Sequence, residues 1–192
     1  TLGCVYTDTE NHLAAIEAYL KAKDLFPDTL IRYYALTECL LGLKYVNSNA
    51  YDYAENHLLC AMNNADRLND VHTYCISRYN YALCLLHRRD FETAEQYFLE
   101  FLDNEAYYEY YRINPLLQLA KIYYLHYKDY DKSLLYVNRF LNLSKSNNEA
   151  GLAAKANIFY DMAVYDSAYH YCLKSLKTAT ELNTICLCYD KL

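Results

Sequence analysis

Residues 91–98 read Phe91-Glu92-Thr93-Ala94-Glu95-Gln96-Tyr97-Phe98. A ring, a small residue three positions on and a large apolar residue four further on share one face of an α-helix. The figure recurs along the whole chain. Its small residues are Ala15, Ala54, Ala94, Ser133 and Ala168, at successive spacings of 39, 40, 39 and 35 residues. Three positions before each stand His12, Tyr51, Phe91, Tyr130 and Tyr165; four positions after each stand Tyr19, Leu58, Phe98, Val137 and Cys172. Nine positions before each stand Tyr6, Tyr45, Leu85, Tyr124 and Phe159.

A period of this length with two apolar-periodic segments per unit predicts stacked helical hairpins. The small residue lets two helix backbones approach. The ring three positions earlier opens the second helix and covers the turn. Asn49, Arg89-Asp90 and Lys128-Asp129 mark tight turns between helices, where Asp caps the next helix and Asn tolerates a left-handed backbone. The pattern predicts helices over Thr9–Lys23, Thr29–Val46, Tyr51–Leu68, Val71–Arg88, Phe91–Leu102, Tyr107–Tyr127, Tyr130–Ser144, Glu149–Met162 and Tyr165–Glu181. Ser144–Asn148 reads as loop, and the chain from Asn183 onward as the start of another helix. Both ends read as cuts in a longer array, and Thr1 in place of Met fits a fragment or a processed product.

Composition agrees. With 3 Gly and 2 Pro in 192 residues, the chain cannot supply the many tight turns of a sandwich or barrel. At 54% hydrophobic residues it is neither disordered nor low-complexity. The net charge of −6 gives no electrostatic footprint for nucleic acid, and His87-Arg88-Arg89 reads as a solvated turn. No apolar stretch reaches the ~18 residues that cross a bilayer. Leu2-Gly3-Cys4 lacks the preceding apolar run of a lipidation signal.

Chemistry-bearing motifs are sparse. The eight cysteines, Cys4, Cys39, Cys60, Cys75, Cys84, Cys172, Cys186 and Cys188, fall mostly in apolar periodic segments, where a thiol acts as a small hydrophobe. Cys84 with His87, and Cys186 with Cys188, lack a second pair at zinc-site spacing, so no metal or other cofactor is expected. Phosphate-loop, dinucleotide, zinc-protease and nucleophile-elbow motifs are absent. The six histidines are scattered with no two at i,i+4, and nothing pairs Glu55, Glu95 or Glu100 as acid and base. No enzymatic activity is expected. There are 25 tyrosines and no Trp, so aromatic rings stand on several helix faces at once. Most are expected in helix packing, the remainder as a partner-facing surface.

The register resembles that of the tetratricopeptide repeat (TPR) family. The first unit carries Leu2-Gly3, Tyr6, Ala15, Tyr19, Ala22 and Pro27; the second carries Leu41-Gly42, Tyr45, Ala54, Leu58 and Ala61. The third has Ala82 and the fifth Ala156 where Gly is usual. The fourth has Lys121 there, which predicts a first helix shifted by one residue. The resemblance covers nearly the whole chain, as one repeat domain with units at about 1–27, 28–68, 69–105, 106–146 and 147–182. It implies an all-α, right-handed superhelix of five antiparallel hairpins, like the repeat region of a larger bacterial protein.

What the resemblance implies for function is the binding of a protein or peptide segment on the concave face, lined by first helices. Carried onto this sequence, that face holds Leu36, Cys39, Leu43 and Val46, then Ile76, Tyr79, Leu83 and Leu86, then Ala153, Asn157 and Tyr160. Asn80 and Asn157 are the amides placed to meet a peptide backbone, because a side-chain amide both donates and accepts. The Lys/Asn clamp of chaperone-binding members is not reproduced. Two roles fit: a free-standing interaction scaffold, or the sensory part of a bacterial signalling or transcription-regulatory protein with its effector elsewhere in the chain. Free thiols in apolar stripes favour a cytoplasmic setting, with an envelope-anchored one as the alternative.

Overall fold

In the computed structural model the described residues are 12–24, 31–104, 107, 109–144 and 149–177. The expected first helix of unit one, Pro27, Cys4, Cys186, Cys188, the core of the 144–148 loop and the helix from Asn183 lie outside them. The described residues form α-helices and no strand: α1 (His12–Asp24), α2 (Ile31–Asn47), α3 (Tyr51–Arg67), α4 (Val71–His87), α5 (Phe91–Asp103), α6 (Glu109–Ile122) with a π-helical turn (Tyr123–Tyr127), α7 (Tyr130–Leu143), α8 (Glu149–Asp161) and α9 (Tyr165–Leu176). Antiparallel hairpins are α2/α3, α4/α5, α6/α7 and α8/α9. In the units of period 39–40, α2, α3 and α4 run 17 residues each; in the last unit, α8 and α9 run 13 and 12. No helix among the described residues is long and apolar enough to cross a membrane. The chain falls into two compact units, Thr1–Tyr97 and Phe98–Leu192, with the boundary inside α5.

The repeated small residues lie at the helix crossings. Ala15, Ala54, Ala94, Ser133 and Ala168 are between 0% and 2% exposed. The large residues four positions on, Tyr19, Leu58, Phe98, Val137 and Cys172, are all buried. In the first unit, Val46, Ala54, Leu58 and Cys84 form one core cluster, flanked by Tyr45, Tyr51 and Tyr81. In the second, Ala120, Val137 and Ile158 form another, with Tyr130, Leu134, Leu141, Ala154 and Met162 packed against it. Gly42 is where contact is tightest: a Cβ there would stand 2.5 Å from Leu58 Cγ.

The turns inside the hairpins share one geometry. Asn49, Arg89, Lys128 and Ala163 each adopt a left-handed backbone, φ 56° to 64°. The amide just before the ring of the following helix then closes the turn: Ala50 N–H donates to Tyr45 O, Asp90 to Leu85 O and Val164 to Phe159 O, each five residues back. Asp90 and Asp129 also cap α5 and α7, accepting from the amides of Thr93 at 3.3 Å and Lys132 at 3.0 Å.

The α6/α7 hairpin departs from this. Asp129 N–H donates to Tyr123 O, six residues back, at 3.0 Å. The π-helical turn takes up the additional residue. Everything before it is displaced by one position, as the odd placement of Lys121 predicted. The small residue of the first helix is therefore Ala120, the counterpart of Gly42, Ala82 and Ala156. It is buried, and its carbonyl accepts from Ser133 Oγ at 2.8 Å. Lys121 is turned out to solvent.

Candidate functional site

That displacement shapes a groove in the second unit. The groove is about 320 Å³ and opens between α6 with its π turn and α8. Leu117, Lys121 and Leu125 stand on one wall, Ala150, Ala154 and Asn157 on the other, with Ala120, Ser133 and Ile158 at the base. Ala150 and Ala154 are one helical turn apart, and their short side chains leave the space open. The Ser133 hydroxyl is committed to Ala120 O, so the base is apolar in effect. At the α8 end, Tyr124 donates its hydroxyl to Asp161 Oδ2 at 2.7 Å. Burial, and then the Asp161 carboxylate, hold that phenol above its usual range, so it stays protonated and donating.

Two polar groups face the opening without a partner among the described residues: the Asn157 amide and the Lys121 ammonium. An amide at the lip of an apolar slot can pair with an extended backbone, accepting from its N–H and donating to its C=O. The slot takes a side chain beside it. A site of this kind, mostly apolar with a few polar groups, suits binding more than bond chemistry.

Of the residues expected on a binding face, the structure brings Asn157 into this groove. Tyr160, on the same helix, is exposed and sets its ring edge-on to Tyr165, centroids 5.7 Å apart. Ala153 is buried. The remaining residues belong to the first unit and are divided. Leu36 is exposed, whereas Leu43, Ile76, Tyr79 and Leu83 are half-buried. Cys39, Val46, Asn80 and Leu86 are buried, Val46 within the core cluster of Leu58 and Cys84. Asn80 donates its amide to Ile76 O of its own helix at 2.8 Å. Sequence reasoning missed Leu117, Lys121 and Leu125, because the additional residue broke the register in unit four. Ala120, one place before Lys121, is the signal that could have restored it.

The first unit also buries charge. Glu38 of α2 is 1% exposed, with Lys23 Nζ of α1 2.7 Å from Oε1 and His57 Nδ1 of α3 2.6 Å from Oε2. His57 also stacks on Tyr45, centroids 5.3 Å apart. Burial pushes the Glu38 carboxyl up, but its bonds to His57 and Lys23 outweigh burial and leave it below the usual range. The group ties three helices together. Elsewhere burial pushes the Cys75 thiol up to about 11 and the Cys84 thiol to about 12, which makes both poor nucleophiles. Among the described residues no three ligating side chains converge on a metal position.

Neither a protein-family model nor a curated protein sequence matches the chain. Solved structures do. The apo form of the quorum sensor NprR from B. thuringiensis is similar over 98% of this chain and 55% of its own, with 14% identity and a TM-score of 0.85. The apo form of RapI is similar over 90% of this chain and 66% of its own, with 17% identity and a TM-score of 0.77. A signal-transduction ATPase of Pyrococcus horikoshii with a tetratricopeptide repeat sensor matches 98% of this chain, with 16% identity and a TM-score of 0.75. This chain thus spans about half the length of NprR and just under two thirds of RapI. At such identities the likeness is one of fold: the chain is a TPR-like repeat region, an all-α superhelical array of hairpins.

Proposed function

We propose that this chain is a non-enzymatic scaffold that binds a protein or peptide segment. The observation that carries the reading is the groove between α6 and α8, open, apolar at its base and lipped by the unpartnered Asn157 amide. An extended segment of a partner protein lies along α8, pairs its backbone with Asn157 and drops one side chain between Ala150, Ala154 and Leu117. Affinity comes from apolar burial, direction from the amide. The exposed rings of Tyr160, Tyr165 and Tyr169 on the same unit offer further contact area at low entropic cost.

Selection of random linear peptides against the intact chain tests this. Peptides that bind wild type should bind Asn157→Ala about tenfold more weakly, the loss of one bonded polar group. Ala154→Trp, which fills the slot, should abolish their binding while the far-ultraviolet circular dichroism is unchanged. Equal binding to Ala154→Trp would sink the assignment.

The second reading is a sensory region within a longer regulator. It is supported by the likeness to the quorum sensor NprR, which includes nearly all of this chain but about half of that one. Reading the native gene past both ends tests it: a further effector-type region supports the sensory role, and a plain stop on both sides removes it.

A further inference from the structure

The wall of the groove formed by α6 and its π turn places a cation between two leucines. Leu117, Lys121 and Leu125 follow one another at every fourth residue, so they stand about 6 Å apart along one line. Lys121 is the only charged side chain among the described residues that line the groove, and none of the carboxylates among the described residues pairs with it. At the same register position α2 carries Leu43, α4 carries Leu83 and α8 carries Asn157. A lysine stands there in α6 alone, with Leu117 half-buried on one side and Leu125 46% exposed on the other.

An extended segment spaces its alternate side chains about 7 Å apart on one side. That is within about 1 Å per step of the spacing along the wall, and the flexible lysine stem takes up the difference. A segment lying along the groove therefore presents residues i, i+2 and i+4 to Leu117, Lys121 and Leu125 in turn. The order is symmetrical, so either chain direction satisfies it. Charge complementarity makes the middle residue an acid. The Asp161 carboxylate, 2.7 Å from Tyr124 Oη, stands at the Leu125 end and repels a second acid there.

We infer that the groove selects an extended partner segment in which an acidic side chain is flanked, two residues away on each side, by large apolar ones. The inference rests on the peptide-binding reading above and adds which segment is bound. The acid comes from within the segment and not from a chain terminus. The apolar wall continues one turn past Lys121 in both directions, and a terminus at Lys121 would leave half of it uncovered. With a net charge of −6 the chain as a whole opposes acidic ligands, so the preference is local to this ammonium.

Selection from random heptapeptides displayed between fixed flanks, so that no terminus is free, tests this on the intact 192-residue chain. Peptides enriched on wild type should carry Asp or Glu with large apolar residues two positions before and after. Lys121→Glu changes an exposed residue and should leave the far-ultraviolet circular dichroism unaltered. It should turn the middle preference to Lys or Arg and keep the apolar flanks. An acidic peptide from the wild-type pool should bind Lys121→Ala about fivefold more weakly, while its Gln counterpart binds both proteins alike. Apolar flanks without a charge preference, or a preference unmoved by Lys121→Glu, overturn the inference and leave the groove as a peptide site. An acidic preference seen only in a parallel library with a free C-terminus overturns it too. Failure to enrich any peptide, or binding that ignores Ala154→Trp, overturns the peptide-binding reading and this inference together.

Discussion

The amide of Asp129 donates to the carbonyl of Tyr123, six residues back, where the turns at Asn49, Arg89 and Ala163 close over five. One additional residue in the chain therefore decides where Lys121 and Leu125 stand, and with them one wall of the groove. π-helical turns of this kind lie often at functional sites, because they re-aim side chains without breaking the helix. Here the re-aimed side chains line the groove.

Removing that residue separates stability from binding. In a chain lacking His126, which is exposed, the Tyr123 carbonyl is five residues from the Asp129 amide and the turn can close as the others do. Thermal unfolding should then shift by no more than about 5 °C, since one exposed turn residue is at stake. Binding of groove-selected peptides should fall, because Tyr124 and Leu125 change direction. A large loss of Tm would show that the hairpin depends on the π turn.

Gly42 should not tolerate even alanine. Helix propensity alone favours Ala by about 1 kcal/mol. Against this, a Cβ would stand 2.5 Å from Leu58 Cγ and 2.6 Å from Leu58 Cδ2, in a fully buried cluster. Overpacking costs about 1–3 kcal/mol, so Gly42→Ala should be net destabilising in urea titrations. Adding Leu58→Val should recover part of the loss, a coupling that independent sites would not give.

The buried carboxylate makes stability depend on pH. Because the folded-state pKa of Glu38 lies below its ordinary value of 4.5, its contribution is present above that value and is lost as pH falls through the folded one. Glu38→Gln should cost about 2–4 kcal/mol at neutral pH, leaving Lys23 and His57 without their shared partner. The gap between wild type and variant should close on acidification. Lys23 acts with the opposite sign: its pKa is raised by the hydrogen bond to Glu38, against a smaller opposing effect of burial, so its contribution fades as pH rises past 10.5. Lys23 is 29% exposed, and solvent screening keeps its own contribution small. Chemical denaturation of both proteins from pH 3 to 8 checks the acid side.

Ala163 carries a side chain in a left-handed conformation, φ 59°, at the α8/α9 turn. It is exposed and packs little, so the strain brings no compensating contact. Ala163→Gly should stabilise the chain by about 0.5–1 kcal/mol, the relief of left-handed strain less the entropy that glycine adds to the unfolded state. An unchanged or lower urea midpoint would contradict this. The groove and its peptide binding should be unaffected.

The repeat was legible because each crossing of two helices needs a small residue at one register position, and a side chain's size is written in the sequence. Ala15, Ala54, Ala94, Ser133 and Ala168 identified the crossings, and the helix ends followed to within a few residues. The second helices α3, α5 and α7 are apolar on one side, so their buried face could be read from periodicity. The first helices α2, α4, α6 and α8 spread their apolar side chains around the helix with no single dominant face. Periodicity there cannot separate core from open face. That is why Cys39, Val46 and Leu86 are core, while Leu36 and Tyr160 are open. Glu38 and His57, nineteen residues apart and on different helices, gave no sign of their pairing, since a charge is buried by partners that the fold supplies. The sequence by itself determined the hairpins and their crossings. Tertiary packing decided which first-helix side chains meet solvent, and a single additional residue before Asp129 decided the shape of the groove.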